Sequence, residues 1–344
     1  MPERGTVTLA DVAERAGVSL ATASRALNGS ARKVRQESLD RVHAAARELR
    51  YTANVQAQAV ARGTTTTLAL VVGDIADPYF AAIAAGAIRA ADEAGLVVTI
   101  TSTGGDASRE QDVLAVVAGL RPRAVVLAVS RRLGATSDTG AAVQALVAGG
   151  AGVAALVSDL DGGSVPGVEG LVIRNLSGAA ALAGALVEQG HDSFAVLAGD
   201  PTLATAHARY EGFVAGLAAH GLSVPDQWVV PSAFTRDGGH QAMEALLAAA
   251  AGGAAPLPRC VFAVTDLMAV GAVAAIRERG LVPGVDVGVA GFDDVRMLAD
   301  VVPALSTVRL PLEEIGARAV RRALGTDAGG AVDGEVVLRA STAR

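Results

Sequence analysis

One set of polar side chains recurs at a single kind of place in this sequence. Asp77, Ser130, Asp159, Thr265 and Asp293 each stand just beyond the end of a strand-like apolar run. Asp74, Ser102, Asn175, Asp200, Asp266 and Asp294 do the same. Ligands of open parallel sheets bind outside the carboxyl ends of the strands. Carboxylates and hydroxyls gathered there can accept and donate many hydrogen bonds, which suits polyhydroxyl recognition. For any one Asp or Thr the alternative is plain N-capping of the next helix. A second set lies near the N-terminus, in Ser19-Leu-Ala-Thr-Ala-Ser-Arg-Ala-Leu-Asn28. As a helix this stretch turns Ala23, Ala26 and Leu27 inward and leaves Leu20, Ala21, Thr22, Ser24, Arg25 and Asn28 toward solvent. Hydroxyls, an amide and one Arg suit phosphate positioning and a bidentate guanine contact. The alternative is the solvated face of a small bundle.

The elements that must carry these groups are legible. Thr8 with Asp11 three residues on reads as a capping box, Leu9 to Ala16 as a helix, and Gly17 as its left-handed stop. Ser19 caps a second helix to about Leu27, closed by Asn28-Gly29. A third runs from about Gln36 to Arg50, with Leu39, Val42, Ala46 and Leu49 as its buried stripe. Two short helices joined through Ala16-Gly17-Val18 form a helix-turn-helix. From Thr67 onward, ten strand-like runs alternate with Ala-rich helical runs. Near-continuous apolar strands separated by helices imply parallel sheets covered on both faces. Ten strands exceed one core, so the pattern predicts two doubly wound α/β subdomains.

Composition removes several classes. Apolar residues make up 51% of the 344 residues and charged ones 19%, so the chain is not disordered. The longest uncharged stretch, Thr139 to Ser158, is broken by Gly149-Gly150-Ala-Gly152 and reads as helix, turn and strand rather than a membrane span. The first residues show no apolar secretory segment, and the single cysteine, Cys260, fits a reducing cytosol. No nucleophile elbow, Walker loop, zinc-protease helix or nucleotide-binding Gly motif occurs, and the five histidines lack metal spacing. Neither catalysis nor a cofactor is therefore expected. The net charge of −6 is uneven: residues 1–63 carry ten basic and six acidic side chains, and the remainder is at −10. A basic head on an acidic body suggests a polyanion-binding module, against the alternative of a chance fluctuation.

The string from Thr8 to Ser19, then Thr22-Ala-Ser-Arg-Ala-Leu-Asn28, then Arg41-Val-His-Ala-Ala-Ala-Arg-Glu-Leu-Arg-Tyr51, resembles the headpiece of the lactose/galactose repressor family of bacterial transcription regulators. The likeness runs on through nearly the whole chain. It implies a second helix lying in the major groove, with Leu20, Ala21 and Arg25 at base-reading positions and Thr8, Thr22, Ser24 and Asn28 at phosphate-contacting ones. Leu20 and Ala21 cannot hydrogen-bond through their side chains, so they would read by apolar fit or shape. Arg35 stands where the family has a Ser cap, and neighbouring Arg32 and Lys33 offer phosphate contacts instead. The implied hinge, about 51–63, folds on DNA. Its DNA-contacting positions are Asn54, Ala57 and Val60, with Val60 in place of the family's Leu wedge and Ala53 in place of its Pro.

For the body, the resemblance implies a type I periplasmic-binding-protein-like architecture over 64–344. Its first subdomain is expected at about 64–161 and 295–325, and its second at about 162–294 and 326–344. Asp159, Arg209 and Asp293 fall on recurrent ligand-holding positions. Asp77, Tyr79 and Phe80 line the cleft, Phe234 matches an aromatic platform, and Thr265 replaces an Asn. Two acids flanking one Arg are expected to pair with each other when no ligand is bound. The resulting expectation is a cytoplasmic regulator, a homodimer or dimer of dimers, that binds palindromic operator DNA under the control of a small effector, a sugar first and a nucleobase second. The rivals are a stand-alone sugar-binding protein and a sugar-processing enzyme.

Overall fold

The computed structural model describes residues 7–27, 34–52, 65–130, 138–160, 166–253, 256–298 and 300–344. It divides into a head, residues 1–65, and a body, residues 66–344. Of the expected DNA contacts, Asn28, Arg32, Lys33, Asn54, Ala57 and Val60 lie outside the described residues.

In the head, α1 (Leu9–Ala16) opens on the Thr8 capping box: the Thr8 N–H donates to Asp11 Oδ2 at 2.7 Å and the Asp11 N–H to Thr8 Oγ1 at 3.4 Å. Gly17 ends the helix at φ 63°. Next come α2 (Leu20–Leu27), with the Thr22 N–H on Ser19 Oγ at 3.2 Å, and α3 (Gln36–Glu48). Val12, Ala13, Ala16, Ala23, Ala26, Val42 and Ala45 form the core. Ala45 is buried on α3, whereas Ala46 and Leu49 are only half-buried at its edge. Arg35 stands at the N-cap of α3 and makes no side-chain cap.

The body's first sheet contains β1 (Thr67–Val72), β2 (Val97–Ser102), β3 (Ala124–Ala128), β4 (Gly152–Ser158) and β5 (Val168–Ile173) in the order β2-β1-β3-β4-β5, all parallel. The second contains β6 (Phe194–Gly199), β7 (Val229–Pro231), β8 (Cys260–Ala263) and β9 (Gly288–Ala290) in the order β7-β6-β8-β9, also parallel. A two-stranded pair, β10 (Thr307–Arg309) with β11 (Glu335–Val337), is antiparallel. Three expectations change. β5 belongs to the first sheet, so the chain leaves the first subdomain after Ile173 and not near residue 161. β7 is an added strand, three residues that end on Pro231, which demotes such a run in the sequence. The last two strands pair with each other, and β10 meets the end of β9 only through isolated parallel bridges, Ala290 with Ser306 and Asp293 with Arg309.

The helices are α4 (Pro78–Glu93), α5 (Ala107–Gly119), α6 (Asp138–Ala148), α7 (Asn175–Glu188), α8 (Ala204–Ala218), α9 (Arg236–Ala251), α10 (Asp266–Glu278) and α11 (Leu312–Ala323). α11 packs on α4 and on β3, β4 and β5, which returns this late segment to the first sheet. The scarce aromatics are concentrated in the second subdomain, where Phe213 stacks on Phe262 at 4.4 Å and meets Phe194 edge-on at 5.8 Å. α7 packs on α8. A Cβ on Gly212 would run into the Leu176 carbonyl, so only glycine lets α8 approach the first turn of α7 this closely. That approach brings Arg209, one turn earlier on α8, to the N-terminus of α7.

Candidate functional site

Arg209 is the largest fully buried side chain of the body, 2% exposed. Its Nε donates to Asn175 Oδ1 at 2.9 Å, Nη1 to the Val264 carbonyl at 2.7 Å and Nη2 to Asp293 Oδ1 at 2.7 Å. Its Cζ lies 4.0 Å from the centroid of the Phe292 ring, a cation–π contact. A buried guanidinium without such partners would cost several kcal/mol. Three of the five N–H groups are engaged, which leaves one on each Nη.

Asp293 is positioned by β10 and the residue after it: its N–H donates to the Val308 carbonyl and its own carbonyl accepts from the Leu310 N–H. Asp293 and Asp294 both have positive φ, 123° and 52°. Such residues cost roughly 1–3 kcal/mol each and persist where surrounding structure over-determines them. Here the turn sends the consecutive carboxylates to different partners, Asp293 to Arg209 and Asp294 to Arg309 at 2.7 Å and Arg339 at 2.7 Å. Burial lifts the Asp293 carboxyl above the ordinary carboxylate range; Arg209 opposes this, while Asp266 and Asp77 reinforce it. Burial likewise lifts Asp266 to about 6, against the Thr307 hydroxyl at 2.6 Å and the Val295 N–H at 3.0 Å. Asp77 and the Tyr79 phenol are raised for the same first reason. Asp294 is held low: burial works against it, and the hydrogen bonds from Arg339 and Arg309 prevail.

The remaining expected residues fall into place unevenly. Asp159 does not pair with Arg209. Both its oxygens lie 3.1 Å from the Leu176 N–H, so it caps α7, whose own N-cap residue, Arg174, supplies no side-chain bond. A backbone donor at an open helix end was the nearer partner for an exposed carboxylate. Asp77 caps α4 through the Tyr79 N–H at 2.9 Å, and Thr265 caps α10 through the Met268 N–H at 3.2 Å. Ser130 Oγ, at the end of β3, is buried with no hydrogen-bond partner among the described residues, as is Ser232 Oγ after β7. Tyr79 and Phe80 meet edge-on at 5.0 Å, and both pack against the core, as does Phe234, whose ring covers Gly199. His207 faces Glu211, and Cys260 is buried in β8 with its thiol pushed up to about 12 by burial. Two cavities of about 270 Å³ each share Ala82 and Arg296 along the first turns of α4; neither is lined by Arg209 or Asp293. Two contributors escaped sequence reasoning. Phe292 looked like one more strand residue. Asn175 was visible only as a strand-end polar group, with no sign that it would face Arg209.

In the head, Leu20 is 54% exposed, Ala21 and Arg25 are exposed, and Thr22 and Ser24 are half-buried. Arg25 Nε donates to the Ala21 carbonyl at 3.0 Å, one turn back along the helix, and the side chain is exposed. The Thr8 hydroxyl is engaged with Asp11 at 2.8 Å and that of Thr22 with Ser19 at 2.8 Å.

Residues 8–54 match the family model for bacterial regulatory proteins of the lacI family, and residues 183–343 match a periplasmic binding protein-like domain. The transcriptional regulator GalR of Escherichia coli strain K12 is 31% identical over 320 residues, 92% of this chain and 88% of GalR. The chain belongs to the lacI family. Among solved structures, this lacI-family chain resembles the lac repressor dimer bound to operator and the anti-inducer ONPF. That match has a TM-score of 0.79 and 25% identity and covers 98% of this chain and 99% of the other. It also resembles CelR in complex with cellobiose, at a TM-score of 0.68 and 27% identity, over 97% of this chain and 99% of CelR. As a family member the protein is a DNA-binding transcriptional regulator with an effector-binding domain, and its recognised relatives are regulators, not enzymes. No helix among the described residues is long and apolar enough to cross a membrane.

Proposed function

We propose that this protein is a cytoplasmic repressor, binding palindromic operator DNA as a homodimer or dimer of dimers and responding to a small neutral polyol, a sugar. The carrying observation is the environment of Arg209. One guanidinium stands among Asp293, Asp266 and Asp77, three carboxyls that burial and mutual repulsion already push toward their neutral forms, so a further anion beside them is disfavoured. Hydroxyls can both accept from the two spare Arg209 N–H groups and donate to carboxylates. In this reading Asp159, Ser130 and Thr265 add polar contacts, and Tyr79, Phe80 and Phe234 offer flat apolar faces. The cellobiose bound by the similar CelR favours a sugar. The same three aromatic rings also suit a nucleobase, which is the second reading. In this reading the site binds and does no chemistry, in line with relatives that are regulators.

Effector binding would change the angle between the subdomains and, across a dimer, the separation of the two hinges and the cost of folding them on DNA. The edge strand β2 leaves Val97 66% exposed and Ile100 also exposed, which suits burial against a second copy. In the head, Leu20, Ala21 and Arg25 would read bases, with Thr8, Thr22, Ser24, Asn28, Arg32 and Lys33 on phosphates and Asn54, Ala57 and Val60 in the hinge.

The experiment has two arms. Selection from random duplex DNA should return a palindrome. A thermal-shift panel of sugars and nucleobases should then find a ligand that adds about 2.7 kcal/mol at a hundred times its Kd. A panel in which only sugar phosphates or dicarboxylates stabilise the protein would overturn the polyol reading.

A further inference from the structure

Asn175 is 2% exposed and is the first residue of α7. The orientation of its amide is fixed by its surroundings. Nδ2 faces two acceptors, the Ile173 carbonyl at 3.3 Å and Ser158 Oγ at 3.5 Å, while Oδ1 faces the Arg209 Nε–H at 2.9 Å. Only an amide presents an acceptor on one side and a donor on the other at that size. The residue sits where the chain has just left the first sheet, and the helix that carries it is capped by Asp159 from the end of β4. It therefore ties the last strands of the first sheet to the arginine on α8.

From this geometry we propose that Asn175 is the positioning residue of the effector site, holding the Arg209 guanidinium so that its two uncommitted N–H groups meet the ligand. The proposal rests on the reading of the Arg209 cleft as the effector site. Nε is the pivot of the guanidinium plane. With Nε anchored on Asn175 and Nη1 and Nη2 on Val264 and Asp293, all three nitrogens are fixed and the plane cannot turn. Without the Nε anchor, the plane can rotate about the remaining two bonds. The spare N–H groups then lose the alignment that makes binding pre-organised. Asp293 supplies the counter-charge, and Asn175 supplies the direction.

The test reads the arginine itself, in full-length protein labelled with ¹⁵N-arginine. The Arg209 Nε–H signal is assigned by its loss in Arg209→Lys. In wild type it should exchange slowly with water. In Asn175→Leu, and in Asn175→Ala should the leucine variant fail to fold, exchange should quicken at least tenfold. Asn175→Asp, which keeps an acceptor for Nε, should restore most of the protection, which a generally loosened α7 would not do. In parallel, cellobiose, D-galactose, D-ribose, guanine and cytidine are screened by thermal shift. The compound that stabilises wild type most should bind Asn175→Leu at least tenfold more weakly and Asn175→Asp with a smaller loss. Unchanged exchange in both Asn175→Leu and Asn175→Ala, or unchanged affinity for that compound, overturns the proposal. A panel in which nothing stabilises wild type counts against the effector reading, and the exchange measurement then decides the role of Asn175 alone.

Discussion

The recognition surfaces of the head and the body are built on opposite terms. On α2, Leu20, Ala21 and Arg25 stand in solvent, with Arg25 tied to the helix through Nε. In the body, Arg209 and Asp293 are almost wholly buried and each is held by several partners. The difference follows from what each surface meets. A duplex brings dense charge to an open face, so the head needs only exposed donors on a small rigid support. A small neutral ligand brings little energy, so its site must be aligned before it arrives. Substitutions in the head should therefore change binding and leave stability alone, whereas substitutions in the cleft should change both.

Asp293→Ala should have the largest effect. It strands the buried Arg209 charge, which typically costs about 3–5 kcal/mol. Urea unfolding of the body should show that loss, and the effector's influence on DNA binding should fall at least tenfold, about 1.4 kcal/mol. A variant as stable as wild type would break the contrast between the two regions.

Asp266 sharpens the same contrast through pH. Burial holds it at about 6 against an ordinary value of 3.8, so the folded body keeps a proton that the unfolded chain gives up. That stabilisation is complete below about pH 4 and is lost as pH rises through 6, an effect of about 3 kcal/mol. The stability of wild type relative to Asp266→Asn should fall by that amount between pH 4 and pH 7. A flat difference would mean that Asp266 is not protonated in the folded body.

Arg25→Ala tests the head. It should cost about 1–3 kcal/mol of operator affinity and relax preference at one base pair per half-site. The melting temperature should stay put, since an exposed side chain carries no core packing. Unaltered sequence discrimination in competition gel shifts would remove Arg25 from base reading.

The smallest effect belongs to Asp159, which joins the two styles by being exposed and yet committed. Asp159→Ala removes the cap of α7 and should cost about 1 kcal/mol, and Asp159→Asn, which can still accept from the Leu176 N–H, should cost less. Equal losses in thermal unfolding would show that its charge and not its cap is what matters.

The sequence alone determined the local order of this protein. Thr8 and Asp11 sit three apart, as a capping box requires, and Gly17 can take φ 63° without a Cβ penalty. Continuous apolar strands between Ala-rich helices implied two parallel sheets, because that pattern needs cover on both faces. Strand ends likewise marked where polar groups would collect. Tertiary structure decided which of those groups met. Asn175, Arg209 and Asp293 are linked by hydrogen bonds that span 34 and 84 residues of chain, and no spacing along the chain encodes that convergence. It depends on Gly212 admitting α8 to the end of α7 and on β10 holding Asp293 in place. β5 joined the first sheet for a similar reason: pairing beside β4 is settled by the competition of edges in space, and its own residues would fit either sheet. Asp159 looked like a partner for arginine and became a helix cap, because hydrogen bonds go to the donor within reach and reach is a property of the folded chain.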